Sequence, residues 1–192
     1  MRSVLLSVIL LFAWSGATMA QQDTDRGDIA GSYNWVRANA GPGQCGCFGM
    51  NGGGISGSWN IRERWSIAAD FGAQHNGSAP PLGNSLTLTS YLVGARYNFS
   101  LRWFEGEHKP QPFGELLLGV SHASGAEAGV SNGWTQFASH LGGGIDVPVN
   151  AHFAVRVLQL DYYLTTFNNG TNNHQNNLLV GAGVVYHWSH QK

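Results

Sequence analysis

The stretch NLLVGAGVVYHW at residues 177–188 decides the fold class, because its alternate residues differ in chemistry. Its odd positions include the small residues Gly181 and Gly183 and the polar His187. Its even positions are all apolar or aromatic, namely Leu178, Val180, Ala182, Val184, Tyr186 and Trp188. Alternation with a period of two is the pattern of a β-strand whose two faces differ. We therefore predict a strand with one apolar face that ends in two aromatic residues.

Seven earlier segments repeat this design. The third is the clearest, since Trp65 and Phe71 share one face while Asp70 lies on the other. The phase of the alternation slips near Thr89 and at residues 157–158, which predicts a β-bulge at each place. The eight strand candidates cover residues 28–39, 54–62, 65–74, 85–99, 111–123, 133–147, 151–167 and 177–188.

Connections rich in Gly, Asn, Ser and Pro separate some of these strands, and much shorter turns separate others. Long loops are predicted at residues 40–53, 76–84, 124–132 and 168–176. Short turns are predicted at 62–64 and 148–150, whereas the charged connection 100–110 is long for a turn. An even number of strands with alternately long and short connections is typical of bacterial outer-membrane barrels. The sequence thus predicts an all-β fold, an eight-stranded antiparallel up-and-down transmembrane β-barrel.

The first twenty residues have the features of a secretory signal peptide. Arg2 precedes an apolar run at residues 4–14, which is too short to span a membrane as a helix. Small residues precede a cleavage site after Ala20, and Ala17 offers a competing site. We expect a signal peptide at 1–20 and a barrel domain at 21–192. This arrangement predicts a location in the outer membrane of a Gram-negative bacterium, with both termini in the periplasm.

The amino-acid composition also favours a transmembrane β-barrel. Charged residues make up 11% of the chain, far below the roughly 25% of soluble domains, while aromatic residues also reach 11% and glycine numbers 27. So few charges are hard to reconcile with a surface that faces only water. The net charge of −1, with no basic stripe, argues against a nucleic-acid partner.

Polar side chains on the inward-facing set predict a network inside the barrel. The residues at one similar depth are Asp70, Arg96, Glu115 and Arg156, and those a layer higher are Gln159 and Asp161. An ionised group in a confined interior must be paired or hydrogen-bonded. The network is either a gate or a packing of the interior. Packing is favoured because eight strands leave a bore only wide enough for side chains or one small ligand.

The chain resembles the small eight-stranded outer-membrane barrels typified by the OmpA transmembrane domain, OmpX and the opacity-type porin-like proteins. The most specific feature is the last strand, whose Tyr186 and Trp188 are similar to the C-terminal aromatic assembly signal of that group. Here four residues, 189–192, follow the last aromatic. The resemblance implies outer-membrane lipid and the barrel-assembly machinery as partners. It also implies a structural or surface-interaction role, no cofactor, at most a narrow pore, and an unknown surface ligand at the extracellular loops.

Two alternatives stay open at this point. A soluble exported barrel of the lipocalin or streptavidin kind would turn the apolar set inward around a ligand. A lipid A-modifying barrel enzyme would need a nucleophile and a base, and Ser121-His122 and Ser139-His140 place these types side by side. Neighbours in a strand point to opposite faces, so neither pair is able to form the required hydrogen bond. We therefore expect no enzymatic activity and no catalytic residue.

The two cysteines, Cys45 and Cys47, lie in the first long loop. They are too few for a disulfide scaffold and too closely spaced for the usual zinc motif. A small disulfide ring between them is a possibility in an oxidising compartment. We expect no metal site.

Overall fold

The structure is a computed structural model that describes residues 26–39, 47–79, 84–101, 109–127, 130–168 and 173–188. Eight antiparallel strands form a closed barrel in which each strand pairs with its neighbours in sequence. They are β1 (Gly27–Ala38), β2 (Phe48–Arg62), β3 (Trp65–Ala79), β4 (Asn84–Asn98), β5 (Gln111–Glu127), β6 (Val130–Pro148), β7 (Phe153–Thr165) and β8 (Gln175–Trp188). No helix in the described part of the chain is long and apolar enough to cross a membrane.

Pairing between the first and last strands closes the barrel. Gly27 lies opposite Trp188 and Arg37 lies opposite Leu178, so β1 begins and β8 ends at the same end of the barrel. We call this the terminal end and the opposite one the distal end. Closure leaves no free sheet edge, which satisfies the backbone of every strand within the sheet.

The two faces of the wall differ as the alternation predicts. In β8, Leu178, Val184 and Tyr186 are exposed on the outside, whereas Leu179 and Val185 are buried inside. The same holds around the barrel, where the exposed outer residues include Ile55, Ile67, Phe71, Val93, Leu118, Leu141 and Leu160. The bulky apolar set therefore faces outward. This is the reverse of the polarity that the soluble ligand-binding alternative requires.

Aromatic residues border the apolar belt at the terminal end. The rings of Trp65 and Tyr97 pack edge to face with centroids 4.9 Å apart, and those of Trp59 and Trp188 lie 6.5 Å apart. Further pairs join Tyr97 to Phe99 at 5.0 Å and Phe153 to Tyr186 at 5.2 Å. Aromatic girdles of this kind mark the membrane–water interface of transmembrane barrels.

Hydrogen-bonded polar pairs border the belt at the distal end. His75 Nδ1 lies 2.9 Å from Thr87 Oγ1, and His122 Nδ1 lies 2.9 Å from Thr135 Oγ1, all on the exposed outer face. Of these four residues, only His75 lies past the predicted end of its strand. The outer surface thus changes from aromatic to apolar to polar along the barrel axis.

Three of the predicted loops are shorter than expected. β2 begins at Phe48, inside the predicted loop 40–53, and β3 continues to Ala79, inside the predicted loop 76–84. The predicted loop 124–132 is largely strand, because β5 runs to Glu127 and β6 starts at Val130. Strand pairing needs only backbone groups. The added segment of β2 contains Gly49, Gly52 and Gly53, which interrupt the alternation that reveals a strand in the sequence.

One predicted bulge is confirmed and the other is wrong. The pairing of β7 with β8 shifts between Arg156 and Gln159, and residues 157–158 both face outward. Around Thr89, in contrast, β4 keeps an unbroken register with both neighbours. Leu88 is inward and buried, so the leucines that suggested a change of phase fill the interior of the barrel instead.

The interior contains an apolar layer on the distal side of a charged one. The buried apolar side chains that pack together are Val36, Ala38, Met50, Ala68, Leu88, Leu92, Leu117, Ala138, Tyr163 and Leu179. Partly buried residues of the distal end, such as Phe48 and Leu86, pack against this cluster. The charged layer lies toward the terminal end.

Gly142 on β6 provides a test of how tightly the wall and interior pack. A Cβ atom at this position would lie 2.1 Å from the carbonyl oxygen of Leu160 and 2.3 Å from Oδ1 of Asp161. We expect Gly142→Ala to lower the free energy of unfolding by about 1–3 kcal/mol, because neither the backbone nor the buried carboxylate has room to move. Urea titration of the refolded protein in detergent measures the change.

Gly31→Ala is the matched control, since a Cβ there meets no atom within 4 Å. This variant should be as stable as the parent protein or slightly more so. Equal stability of the two variants would contradict the close packing at Gly142.

Candidate functional site

Arg156 on β7 is fully buried and forms a two-pronged ion pair with Asp146 on β6. Its Nε donates to Oδ1 of Asp146 at 2.8 Å, and its Nη2 donates to Oδ2 at 3.0 Å. The register of the two strands places these residues directly opposite each other. The planar guanidinium matches a carboxylate in this bidentate arrangement. The pair therefore neutralises Arg156 without help from solvent.

Arg96 on β4 is 2% exposed and binds two carboxylates. Its Nε donates to Oε2 of Glu115 at 3.0 Å, and its Nη1 donates to Oδ1 of Asp28 at 3.1 Å. Glu115 lies directly opposite Arg96 in the register of β4 and β5, whereas Asp28 reaches across the bore from β1. Ser58 in turn donates a hydrogen bond to Asp28. Arg96 thus ties non-adjacent strands together through the interior.

Gln159 joins the two ion pairs into one network. Its Oε1 accepts from Nη1 of Arg156 at 3.2 Å, and its Nε2 donates to Oε1 of Glu115 at 3.2 Å. The same Nε2 lies 2.7 Å from Oδ2 of Asp161. A neutral amide suits this place because it is both a donor and an acceptor.

The ring of Phe113 lies between the two guanidinium groups. Cζ of Arg96 and Cζ of Arg156 are each 4.5 Å from its centroid. Cations within about 6 Å of an aromatic face are attracted by the ring quadrupole. Phe113 therefore separates two like charges and stabilises both. We call Asp28, Arg96, Phe113, Glu115, Asp146, Arg156, Gln159 and Asp161 the charged plug.

Asp70 lies beside the charged plug without joining its hydrogen bonds. Within the described part of the chain it forms no hydrogen bond or ion pair, although it interacts electrostatically with Glu115, Arg96 and Arg156. The structure thus brings Arg96, Glu115, Arg156, Gln159 and Asp161 into direct contact. Asp70 stands next to them.

Three members of the plug are absent from the sequence-based network, namely Asp28, Phe113 and Asp146. The sequence-based prediction judges the depth of a residue by counting from the terminal end of its own strand. This count ignores the stagger between neighbouring strands, so it places Asp146 too close to the terminal end. The register, which pairs Asp146 with Arg156, corrects this. The alternation already puts Asp146 on the inward side. A search for an inward-facing acidic residue within reach of each inward-facing arginine would have identified Asp146 as the partner of Arg156.

The charged plug forms the inner end of a polar cavity that opens at the terminal end of the barrel. The cavity has a volume of about 480 Å³, and Asp28, Arg96, Phe113 and Asp146 lie on its inner side. Its outer part is lined by turn and strand-end residues that include Asn60, Arg64, Lys109 and His187. The bore is therefore open toward the terminal end only as far as the plug.

The serine and histidine residues considered for catalysis are separated as expected. Ser121 and His140 are buried inside the barrel, whereas His122 is on the outer face. Oγ of Ser121 lies 2.5 Å from the hydroxyl of Tyr163, whose ring packs edge to face on His140 at 4.5 Å. The ring nitrogens of His140 have no partner among the described residues. Ser121 and His140 therefore do not form a nucleophile–base pair.

The remaining candidates for a site are the metal-ligating side chains and the two cysteines of the chain. No group of three or more metal-ligating side chains occurs in the part of the chain that the structure covers. Cys47 is exposed. Cys45 lies outside the described residues, so its disulfide with Cys47 stays a prediction.

The chain is similar to a known protein family over most of its length. The family model described as outer membrane protein beta-barrel domain matches residues 6–187. The chain belongs to this family. Comparison with curated proteins gives no match.

Solved structures of small barrels are similar to this family member. Neisserial surface protein A (NspA) aligns with a TM-score of 0.65 at 18% identity, over 84% of this chain and 97% of NspA. Ail, the attachment invasion locus protein of Yersinia pestis, aligns with a TM-score of 0.59 at 15% identity, over 86% of this chain and 99% of Ail. A structure of Ail with the heparin analogue sucrose octasulfate aligns at 0.54 and 13% identity, over 85% of this chain and 99% of that one. Identities this low show a shared fold.

A double-mutant cycle on Arg156 and Asp146 tests the charged plug. Arg156→Met leaves Asp146 buried without its partner, so we expect a loss of about 3–5 kcal/mol in the free energy of unfolding. Combining it with Asp146→Leu should recover most of that loss, because both charges then leave the interior. Urea unfolding in detergent, followed by tryptophan fluorescence, gives each value.

Arg64→Met is the control, because Arg64 lies in the exposed turn between β2 and β3. It should leave the unfolding transition unchanged. Additive losses in the double variant would contradict a direct pair between Arg156 and Asp146.

Proposed function

We propose that this protein is an integral outer-membrane barrel that acts at the cell surface and does not form an open pore. The observation that carries the proposal is the combination of an apolar outer belt with a filled interior. The belt requires lipid around it. The filled interior leaves the distal end as the part of the molecule available for interaction.

Two layers in series support a closed bore. The charged plug occupies the interior toward the terminal end, and the apolar cluster around Leu88, Leu117 and Tyr163 occupies the interior on its distal side. An ion would have to displace paired charges and then pass the buried side chains that fill the next layer of the bore. We propose that the charged plug packs the interior rather than gates it.

The orientation we propose places the terminal end in the periplasm. A signal peptide removed near Ala20 would deliver the chain there, and β8 would be recognised by the barrel-assembly machinery through Tyr186 and Trp188. Both aromatic rings pack in the girdle at the terminal end, where Trp188 pairs with Trp59 and Tyr186 with Phe153. The distal end then faces the outside of the cell.

We propose a binding or structural role rather than an enzymatic one. Ser121 and His140 are buried and unpaired with each other, so they offer no accessible nucleophile. A role in attachment is supported by the similarity to Ail, an attachment invasion locus protein. The surface partner would meet the distal strand ends and the connections between them.

Labelling of single cysteines on intact cells tests location and orientation together. In a Cys45→Ser variant the exposed Cys47 is the only cysteine, and it lies at the distal end. We expect a membrane-impermeant maleimide to label it on intact cells, with the protein in the outer-membrane fraction and showing heat-modifiable gel mobility. Reaction only after lysis would overturn the proposed orientation, and recovery in the soluble fraction would overturn the membrane location.

The control carries its single cysteine at the terminal end. Arg64→Cys in a chain that also has Cys45→Ser and Cys47→Ser places an exposed thiol in the turn between β2 and β3. This variant should react only after the cells are opened. Equal labelling of both variants on intact cells would show that the reagent had crossed the membrane.

A further inference from the structure

A second cavity, which we call the distal pocket, opens at the other end of the barrel. Its volume is about 410 Å³, within the roughly 300–1,000 Å³ typical of small-molecule sites. Met50, Leu86 and Leu88 line its apolar part, and these residues belong to or pack on the apolar cluster. The cluster closes the pocket from below. A ligand of this pocket would therefore enter from the distal side and would not pass through the barrel.

Neutral amides supply most of the polar groups of the distal pocket. They are Asn39, Gln136, Asn168, Gln175 and Asn177. Oε1 of Gln175 is buried without a hydrogen-bond partner in the described structure, while its Nε2 donates to the carbonyl of Phe167 at 3.4 Å. Oδ1 of Asn177 accepts from the backbone of Asn39 at 3.0 Å, which fixes the amide. An unpartnered buried acceptor calls for a ligand or water that donates to it.

Three aromatic side chains complete the lining, namely Phe48, Trp134 and Phe167. Trp134 is 58% exposed although it has the inward phase of β6. Trp134 thus presents an open aromatic face beside the amide groups, on which the apolar face of a ligand is able to pack. Aromatic faces and amides together suit a ligand that has both C–H surfaces and hydroxyl groups.

The charge of the distal end limits the ligand further. Among the described residues, none that lines the distal pocket is charged. Over residues 36–50, 75–89, 122–135 and 163–178 the sequence has only Arg37 and Glu127 among Lys, Arg, Asp and Glu. A polyanion needs several basic groups, which this end lacks. An acyl chain has no donor for the buried Oε1 of Gln175 and would leave that oxygen without a hydrogen-bond partner.

We propose that the distal pocket binds a neutral saccharide. Hydroxyl groups both donate and accept, as amides do, so each sugar hydroxyl finds a match on the rim. One sugar face packs on Trp134, and a methyl group of an N-acetyl or 6-deoxy sugar contacts the apolar floor at Met50 and Leu88. The inference rests on the proposed function in one respect, namely that the distal end faces the cell exterior.

Binding to the purified, detergent-folded barrel tests the inference. The probes are chitotriose, maltotriose and an L-fucose-containing trisaccharide, with a sulfated heparin hexasaccharide as the charged comparison. Saturation-transfer NMR and calorimetry should show saturable binding of at least one neutral probe, tighter for the methyl-bearing sugars, and none of the heparin fragment. No neutral binding, or preferential heparin binding, would overturn the proposal.

Two variants locate the site. Trp134→Ala should weaken saccharide binding about tenfold or more, since it removes the stacking surface. Trp35→Ala is the matched control, because Trp35 is an exposed tryptophan on the outer face of β1 and should leave binding unchanged. Both must keep the heat-modifiable mobility of the folded barrel. Equal affinity of Trp134→Ala and the parent would contradict the assignment.

Competition distinguishes the sources of the sugar. Delipidated neutral polysaccharide from the producing strain should displace the trisaccharide if the ligand belongs to the cell's own outer leaflet, and it should not if the ligand comes from another cell. Either result supports a saccharide site. Because the binding assay uses purified protein, its failure alongside normal surface labelling of Cys47 overturns this inference alone.

Discussion

The pairing of two buried guanidinium groups inside a closed sheet is the constraint on which the structure depends. A barrel wall has an inner face that solvent barely reaches, so any charge placed there must find its partners among the other inward side chains. Arg96 and Arg156 do so through Asp28, Glu115 and Asp146. These contacts link β1, β4, β5, β6 and β7, which fixes the shape of the barrel from within.

The lipid-facing and distal surfaces follow from how the inside is filled. Because Arg96 and Arg156 pair with carboxylates inside the barrel, the outside of the wall is free to be apolar over the width of a membrane. Beyond the plug, the apolar cluster fills the interior with uncharged side chains, and the distal end is almost uncharged. The molecule is thus arranged along one axis as polar cavity, charged plug, apolar layer and neutral pocket.

The sequence predicted the features that depend on alternation and missed those that depend on register. Leu178, Val184 and Tyr186 face outward as expected, and the bulge at residues 157–158 follows from a shift of phase that the sequence displays. The strand ends beyond the membrane belt were missed because the glycines of segments such as 48–53 interrupt the alternation that marks a strand. Asp146 was left out of the network because strand stagger is not visible in one strand.

Conductance of single molecules in a planar bilayer tests the closed bore most directly. We expect no stable channel from the wild-type barrel. We also expect none from Arg96→Ala, which should unfold at a lower temperature while the apolar layer still blocks the path. A large, stable conductance from Arg96→Ala with unchanged thermal stability would contradict the closed bore, because the charged plug would then be a gate rather than the packing of the interior.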